Sequence, residues 1–152
     1  MIYNVIGDIF NELDTGDYQV LIHGCNCFNS MGKGIALSVK NKYPPASYAD
    51  SKTIKGSHDK LGTYSHCVVD DLVIINAYTQ YAYGRTGKFV SYPAIRTIFK
   101  NLATLVPLHN KIIMPRIGAG LGGGDWHVIK NIINDEMPFH DITVVTLNRN
   151  NS

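Results

Sequence analysis

A three-layer α/β/α fold with a mixed, mostly parallel central sheet is predicted by three features of this 152-residue chain. Short apolar, β-branched runs alternate with stretches of helical period. One hairpin interrupts the alternation. Two glycine-rich joins each follow a strand and open a helix.

The elements follow in order. Residues 2–6 form an apolar run ended by Gly7-Asp8, an edge or second strand with a turn. A strand is predicted over 20–27, preceded by the turn residues Thr15-Gly16-Asp17. A polar turn then leads to Gly32 and Gly34, which open a helix over 34–43 with Ile35, Val39 and Tyr43 on one face. Pro44-Pro45 should end it. Residues 46–60 are polar and read as a short helix and a loop. Runs at 62–69 and 72–77, joined by Asp70-Asp71, read as a hairpin. Ser91 is a good N-cap for a helix through 105, with Ile95, Phe99, Leu102 and Val106 inward. A short strand over 111–114 should stop at Pro115. Asp125 caps a helix through about 136, with Trp126, Ile129 and Ile133 inward, and 142–147 is a final strand.

Length fits a single domain spanning 1–152. With 45% hydrophobic and 17% charged residues the chain can bury a real core. No apolar run reaches the roughly 20 residues of a membrane span, so no membrane partner is expected. The N-terminus lacks a basic leader pattern and reads as a strand. Three cysteines without a secretion signal point to reduced thiols and a cytoplasmic setting. The net charge of +2 favours no class of polyanionic partner.

The chemistry concentrates in the two joins. A helix start offers unpaired N–H groups and a positive dipole end, and glycines let an anion reach the backbone. Two such joins, LIHGCNCFNSMGKGIA at 21–36 and GAGLGGG at 118–124, suggest a ligand with two linked phosphates. Gly118, Gly120 and Gly123 spell GxGxxG, but a dinucleotide fold would need an acidic residue ending the next strand. Here Asp141 starts that strand. His23, Cys25 and Cys27 alternate along one strand, yet no CxxC pair or HxxxH helix accompanies them, so neither metal nor cofactor is expected. A cysteine-phosphatase loop would need an arginine where Lys33 or Met31 stands. Asp125 is an N-cap or a catalytic carboxylate. Asp8 is a turn residue or a recogniser of an exocyclic amine or ribose hydroxyl. The loop carrying Tyr81, Tyr83, Arg85, Lys88 and Phe89 is a solvated surface or a base- and phosphate-binding one.

Together, Gly7-Asp8-Ile9, the 21–36 stretch and PRIGAGLGGGDW at 115–126 resemble the macro domain family, over nearly the whole chain. The resemblance implies an ADP-ribose-binding fold. It places Asp8, with Ile9, at the adenine and Asn26 at the distal ribose. The diphosphate falls on Gly32, Lys33, Gly34 and Ile35 and on Gly118, Ala119, Gly120, Leu121 and Gly122. The 23–36 stretch is most similar to macro domains that act as phosphatases on ADP-ribose 1″-phosphate, and it also resembles the terminal ADP-ribose protein glycohydrolase. The lysine and aspartate of that glycohydrolase fall on Thr79 or Gln80 and on Gly122. The carboxylate used by another hydrolase group falls on Ala36. The resemblance therefore implies hydrolysis of ADP-ribose 1″-phosphate, with His23, Asn26 and Asp125 as candidate catalytic residues. A reader module without turnover, or a hydrolase acting on ADP-ribosylated protein or nucleic acid, is the alternative. Oligomeric state is not implied.

Overall fold

The computed structural model describes residues 1–83, 89–120 and 122–147. The strands are β1 (Ile2–Ile6), β2 (Val20–Cys25), β3 (Tyr64–Val69), β4 (Leu72–Tyr78), β5 (Lys111–Pro115) and β6 (Asp141–Thr146). The helices are α1 (Ile9–Leu13), α2 (Gly34–Lys42), α3 (Pro44–Ser51), α4 (Tyr92–Leu105) and α5 (Trp126–Glu136), with a 3-10 turn at His58–Lys60. The strands form one sheet in the order β1-β6-β5-β2-β4-β3. Every pairing is parallel except β3 with β4. Helices cover both faces, as expected of a sheet joined mainly by crossover connections.

Side-chain alternation along the central strands divides the core into two. Val20 and Ile22 face α4 and α5, where they meet Ile75, Ile95, Phe99, Leu102, Ile129 and Ile133. Leu21 faces the other way, toward Val39, Ala46, Ile74 and Ile113. The helix positions read from sequence follow this plan. Ile95, Phe99, Leu102, Ile129 and Ile133 are buried, and Trp126 packs half-buried at the rim. In α2, Val39 is buried, while Ile35 and Tyr43 pack partly buried beside it.

Several boundaries differ from the sequence reading, each for a local reason. Helix α1 was not expected. Its five residues are too short to show a period, and it forms because the Asp8 carboxylate accepts from the Phe10 N–H at 2.8 Å. Pro44 and Pro45 end α2 as expected, with Tyr43 as its C-cap, and they also occupy the first turn of a further helix, α3, where a missing N–H costs nothing. Pro115 is the last residue of β5 rather than the residue beyond it. Strand β2 ends at Cys25 rather than at 27, because the Asn26 side chain accepts from the Phe28 N–H at 2.9 Å and turns the chain. The Asp70-Asp71 hairpin forms as expected, with both residues at positive φ (47° and 68°), the type I′ geometry that suits strand twist.

Candidate functional site

Five strands, β1, β6, β5, β2 and β4, present their carboxyl ends along one edge of the sheet. Over that edge lies a cavity of about 1010 Å³. Four inter-strand spacings of about 4.8 Å give a floor roughly 19 Å long, which suits an extended ligand of several linked groups. Ligands of open α/β sheets characteristically bind outside this edge.

The first join forms one wall. Ser30, Gly32, Lys33, Gly34, Ile35 and Ala36 all line the cavity. Lys33 holds the cap position of α2 without a side-chain hydrogen bond to the helix. The first-turn amides that a helix leaves unpaired therefore stay available to an anion. The second join forms the facing wall through Gly118, Ala119, Gly120 and Gly122. This loop folds tightly on itself. The Gly124 N–H donates to the Gly118 carbonyl at 2.8 Å, and Gly118 takes φ +76°. A Cβ on Gly118 would lie 2.8 Å from the Val90 side chain, and one on Gly124 would lie 2.6 Å from it. Only glycine allows the loop to sit this close to the segment leading into α4.

The two ends differ in chemistry. At the β1 end, Asp8 is exposed and lines the cavity beside Ile9 and Phe10. One carboxylate oxygen caps α1, and the other is left for a ligand donor. Asp8 is the one carboxylate among the described residues that line the cavity. At the β2–β4 end, Asn26, Thr79, Gln80 and Tyr83 line it. The Asn26 side chain donates to the Ser30 carbonyl at 2.9 Å and accepts from the Phe28 N–H at 2.9 Å. Its second amide hydrogen is left over. Arg116 brings a cation to the rim, 5.9 Å over the Trp126 ring.

Two of the three candidate catalytic residues lie elsewhere. His23 has no exposed surface and does not line the cavity. Burial, partly offset by its hydrogen bond to Asn76, lowers its pKa to about 4. Its Nε2 lies 2.6 Å from the Asn76 Oδ1. Because the Asn76 amide nitrogen donates to the Ala46 carbonyl and to Ser65, that Oδ1 is the acceptor and Nε2 carries the proton. Its other ring nitrogen lies 3.8 Å from the Cys25 sulfur. An imidazole with no exposed surface, its Nε2 bonded to Asn76, is poorly placed to act as acid or base on a ligand in the cavity, and the structure does not bring His23 to the site. Asp125 is exposed but caps α5, accepting from the His127 N–H at 2.9 Å. Its neighbours Gly124 and Trp126 line the cavity and it does not. Leu121, and Arg85 and Lys88 of the aromatic loop, lie outside the described residues.

Burial also raises the thiol pKa values of Cys25, Cys27 and Cys67. Only Cys25 of the three lines the cavity. Among the described residues no group of three or more His, Cys, Asp or Glu could hold a metal, and no helix is long and apolar enough to cross a membrane. Phe10, Thr79, Gln80, Arg116 and Trp126 line the cavity without having been singled out from sequence as binding residues, whereas Tyr83 belongs to the aromatic loop that was. The rule that ligands sit beyond strand carboxyl ends would have found Thr79, Gln80 and Arg116.

Comparison with known proteins follows the same outline. No protein-family model matches the chain. It is 33% identical over 135 residues to an uncharacterized 17.5 kDa protein of Enterobacteria phage T4, covering 82% of this chain and 84% of that one. It is 28% identical over 151 residues to an ADP-ribose 1″-phosphate phosphatase of Lodderomyces elongisporus, covering 88% of this chain and 92% of that one. It is 30% identical over 129 residues to a DNA ADP-ribosyl glycohydrolase of Mycobacterium bovis, covering 78% of this chain but 35% of that protein. Among solved structures, a Bacteroides thetaiotaomicron protein matches with a TM-score of 0.78 at 25% identity, over 97% of this chain and 100% of that one. The macrodomain of Mycobacterium tuberculosis DarG matches with a TM-score of 0.75 at 24% identity, over 95% and 97%. Thermosipho africanus DarTG, solved with ADP-ribose, matches with a TM-score of 0.72 at 17% identity, over 98% of this chain and 42% of that one.

Proposed function

We propose that the chain is a macro domain that binds ADP-ribose along the cavity and hydrolyses ADP-ribose 1″-phosphate to ADP-ribose and phosphate, a reading supported by its similarity to a named ADP-ribose 1″-phosphate phosphatase and by its likeness in fold to a DarG macrodomain. The observation that carries the binding reading is the order of groups along the floor. Among the described residues a single carboxylate, Asp8, stands at one end; two backbone-amide cradles face each other in the middle; neutral amides, Asn26 and Gln80, stand at the other end. In this reading the adenine amine donates to Asp8. The diphosphate is held by the amides at 34–36 and 118–120. The distal ribose meets Asn26. The relative named as a phosphatase, which aligns over nearly its full length, supports the reaction class.

The chemistry asks little of a side-chain base. Phosphate monoester hydrolysis passes through a loose transition state with charge spread over the phosphoryl oxygens, so orientation and electrostatic stabilisation dominate. Water attacks phosphorus, the bond to the ribose oxygen breaks, and that oxygen leaves with a proton. A monoester phosphate ionises for the second time near pH 6, so its own oxygen can take one proton of the attacking water and pass it to the departing ribose oxygen, leaving hydrogen phosphate. Asn26 and Gln80 would orient that water. Reduced buried thiols fit the cytoplasmic setting proposed with it.

One observation favours a second reading, a module that reads ADP-ribose without turnover: among the described residues, no carboxylate or imidazole lines the Asn26 end. Calorimetry with ADP-ribose and phosphate release from ADP-ribose 1″-phosphate decide between them. Binding with release that Asn26→Ala abolishes supports the phosphatase. Binding without release, also from ADP-ribosylated protein and DNA, leaves the reader. Absence of binding refutes both.

A further inference from the structure

Lys60 is among the few charged residues buried in this protein, with 7% of its surface exposed. Burying an ammonium costs several kcal/mol unless every donor is used. Here each direction is filled. Its Nζ donates to the Cys27 carbonyl at 3.1 Å and to the Asn29 side-chain oxygen, and it lies 4.7 Å over the Tyr78 ring. The Tyr78 hydroxyl in turn donates to the buried Asp50 carboxylate at 2.7 Å. The two opposite charges are thus separated by one phenol ring.

Both acceptors of Lys60 belong to the turn that follows β2. Cys27 also receives the Gly56 N–H on the same carbonyl, at 2.7 Å. Asn29 stands at φ +55°, a left-handed conformation that asparagine takes more readily than most residues and that local hydrogen bonds reinforce. Its side chain makes these bonds by donating to the Thr53 carbonyl at 2.9 Å and accepting from the Thr53 hydroxyl and from Lys60. Asn26 stands at the start of this turn. Its two side-chain bonds go to Phe28 and Ser30, the residues on either side of Asn29. The direction in which its remaining amide hydrogen points is therefore set by the turn. Lys60 itself does not line the cavity.

We propose that Lys60 is the positioning residue of this site: its buried ammonium fixes the 27–29 turn and, through it, the way the Asn26 amide faces the ligand. The ligand half of this inference rests on the ADP-ribose reading above. The structural half does not.

The test uses Lys60→Met together with Asp50→Asn, so that no lone buried charge remains, with Asp50→Asn alone as reference. Asn29→Gly is the second variant, because glycine keeps the left-handed turn while removing the acceptor of Lys60. Amide exchange without ligand comes first. The Phe28 N–H, bonded to Asn26, should exchange about tenfold faster in both variants, as for loss of one hydrogen bond. Amides of β2 and β4 should stay protected. Calorimetry follows. Affinity for ADP-ribose should fall about tenfold, while affinity for ADP, which lacks the distal ribose, stays within about twofold. Unchanged Phe28 exchange in both variants overturns the proposal, as does equal weakening of ADP and ADP-ribose. A parent protein that binds neither nucleotide refutes the ADP-ribose reading alone, and the exchange data still decide the positioning role. If the Lys60 variant does not fold, Asn29→Gly decides by the same two measurements.

Discussion

His23 makes folding stability depend on pH in a window that can be calculated. Its folded pKa is about 4 against 6.5 in an ordinary histidine. The folded protein prefers the neutral ring, whereas the unfolded chain takes up a proton below pH 6.5. Stability from this group is therefore complete above about pH 6.5 and is lost as pH falls toward 4. The total is about 3 kcal/mol, at about 1.4 kcal/mol per pH unit. Near pH 5 the unfolded chain binds nearly one proton more than the folded one at this site, giving a slope of about 1.2 kcal/mol per pH unit. Urea unfolding at pH 7, 6, 5 and 4.5 measures it, and His23→Gln removes it. Glutamine can still donate to the Asn76 Oδ1 but does not titrate. The variant loses some stability at pH 7 through poorer packing. Its stability should then fall less with acid, so that the two curves converge by about 2 to 3 kcal/mol between pH 7 and 4.5. Parallel curves would show that the imidazole does not remain neutral in the fold, and the assignment of a sealed His23–Asn76 pair would be wrong.

Other consequences are more local. Gly118→Ala places a Cβ 2.8 Å from Val90 at a φ of +76°; it should destabilise by about 1–3 kcal/mol in thermal unfolding and abolish ADP-ribose binding in calorimetry. Asp8→Ala should cost about 1 kcal/mol through loss of the α1 cap, and should weaken ADP-ribose far more than ribose 5-phosphate, which lacks adenine. The Cys25 thiol, raised in pKa chiefly by burial, should react with iodoacetamide at pH 8 at least about tenfold more slowly in the native protein than in urea. Peptide mapping by mass spectrometry reads the rate, and native labelling as fast as unfolded labelling would contradict its buried position.

The layer plan was legible in the sequence because it rests on period and punctuation. Residues such as Ile95, Phe99 and Leu102 repeat with the helix, and Asp70-Asp71 marks a hairpin by residue type alone. Helix α1 was not legible from period, since five residues make little more than one turn; the cue was Asp8 placed as an N-cap before Ile9. Alternation placed His23, Cys25 and Cys27 on one face; His23 and Cys25 do lie side by side, 3.8 Å apart, but Cys27 falls beyond the end of β2. Alternation could not tell that His23 would be wholly buried, hydrogen-bonded to Asn76 and absent from the cavity lining. The glycine joins were readable because backbone approach has a residue signature. The places of Gln80 and Trp126 in the cavity lining were not, because each is a single side chain whose role depends on which strand ends become neighbours.

Strand order also bears on when the site comes into being. The first strand pairs with the last, β1 against β6, in register from Ile2 with Ile142 to Ile6 with Thr146. The Asp8 end of the cavity thus borders Val145, Thr146 and Leu147, contributed by the far end of the described chain. During synthesis β2, β3 and β4 can pair early, but β1 must wait unpaired until β6 emerges. Long-range parallel pairing of this kind is slow, because a large loop has to close first. Residues 2–6 are then an exposed strand in search of a partner on every incomplete chain. Nascent chains halted before residue 141 should retain the hairpin yet be unable to hold a nucleotide, and recruitment of β1 into the sheet would be the event that confers binding.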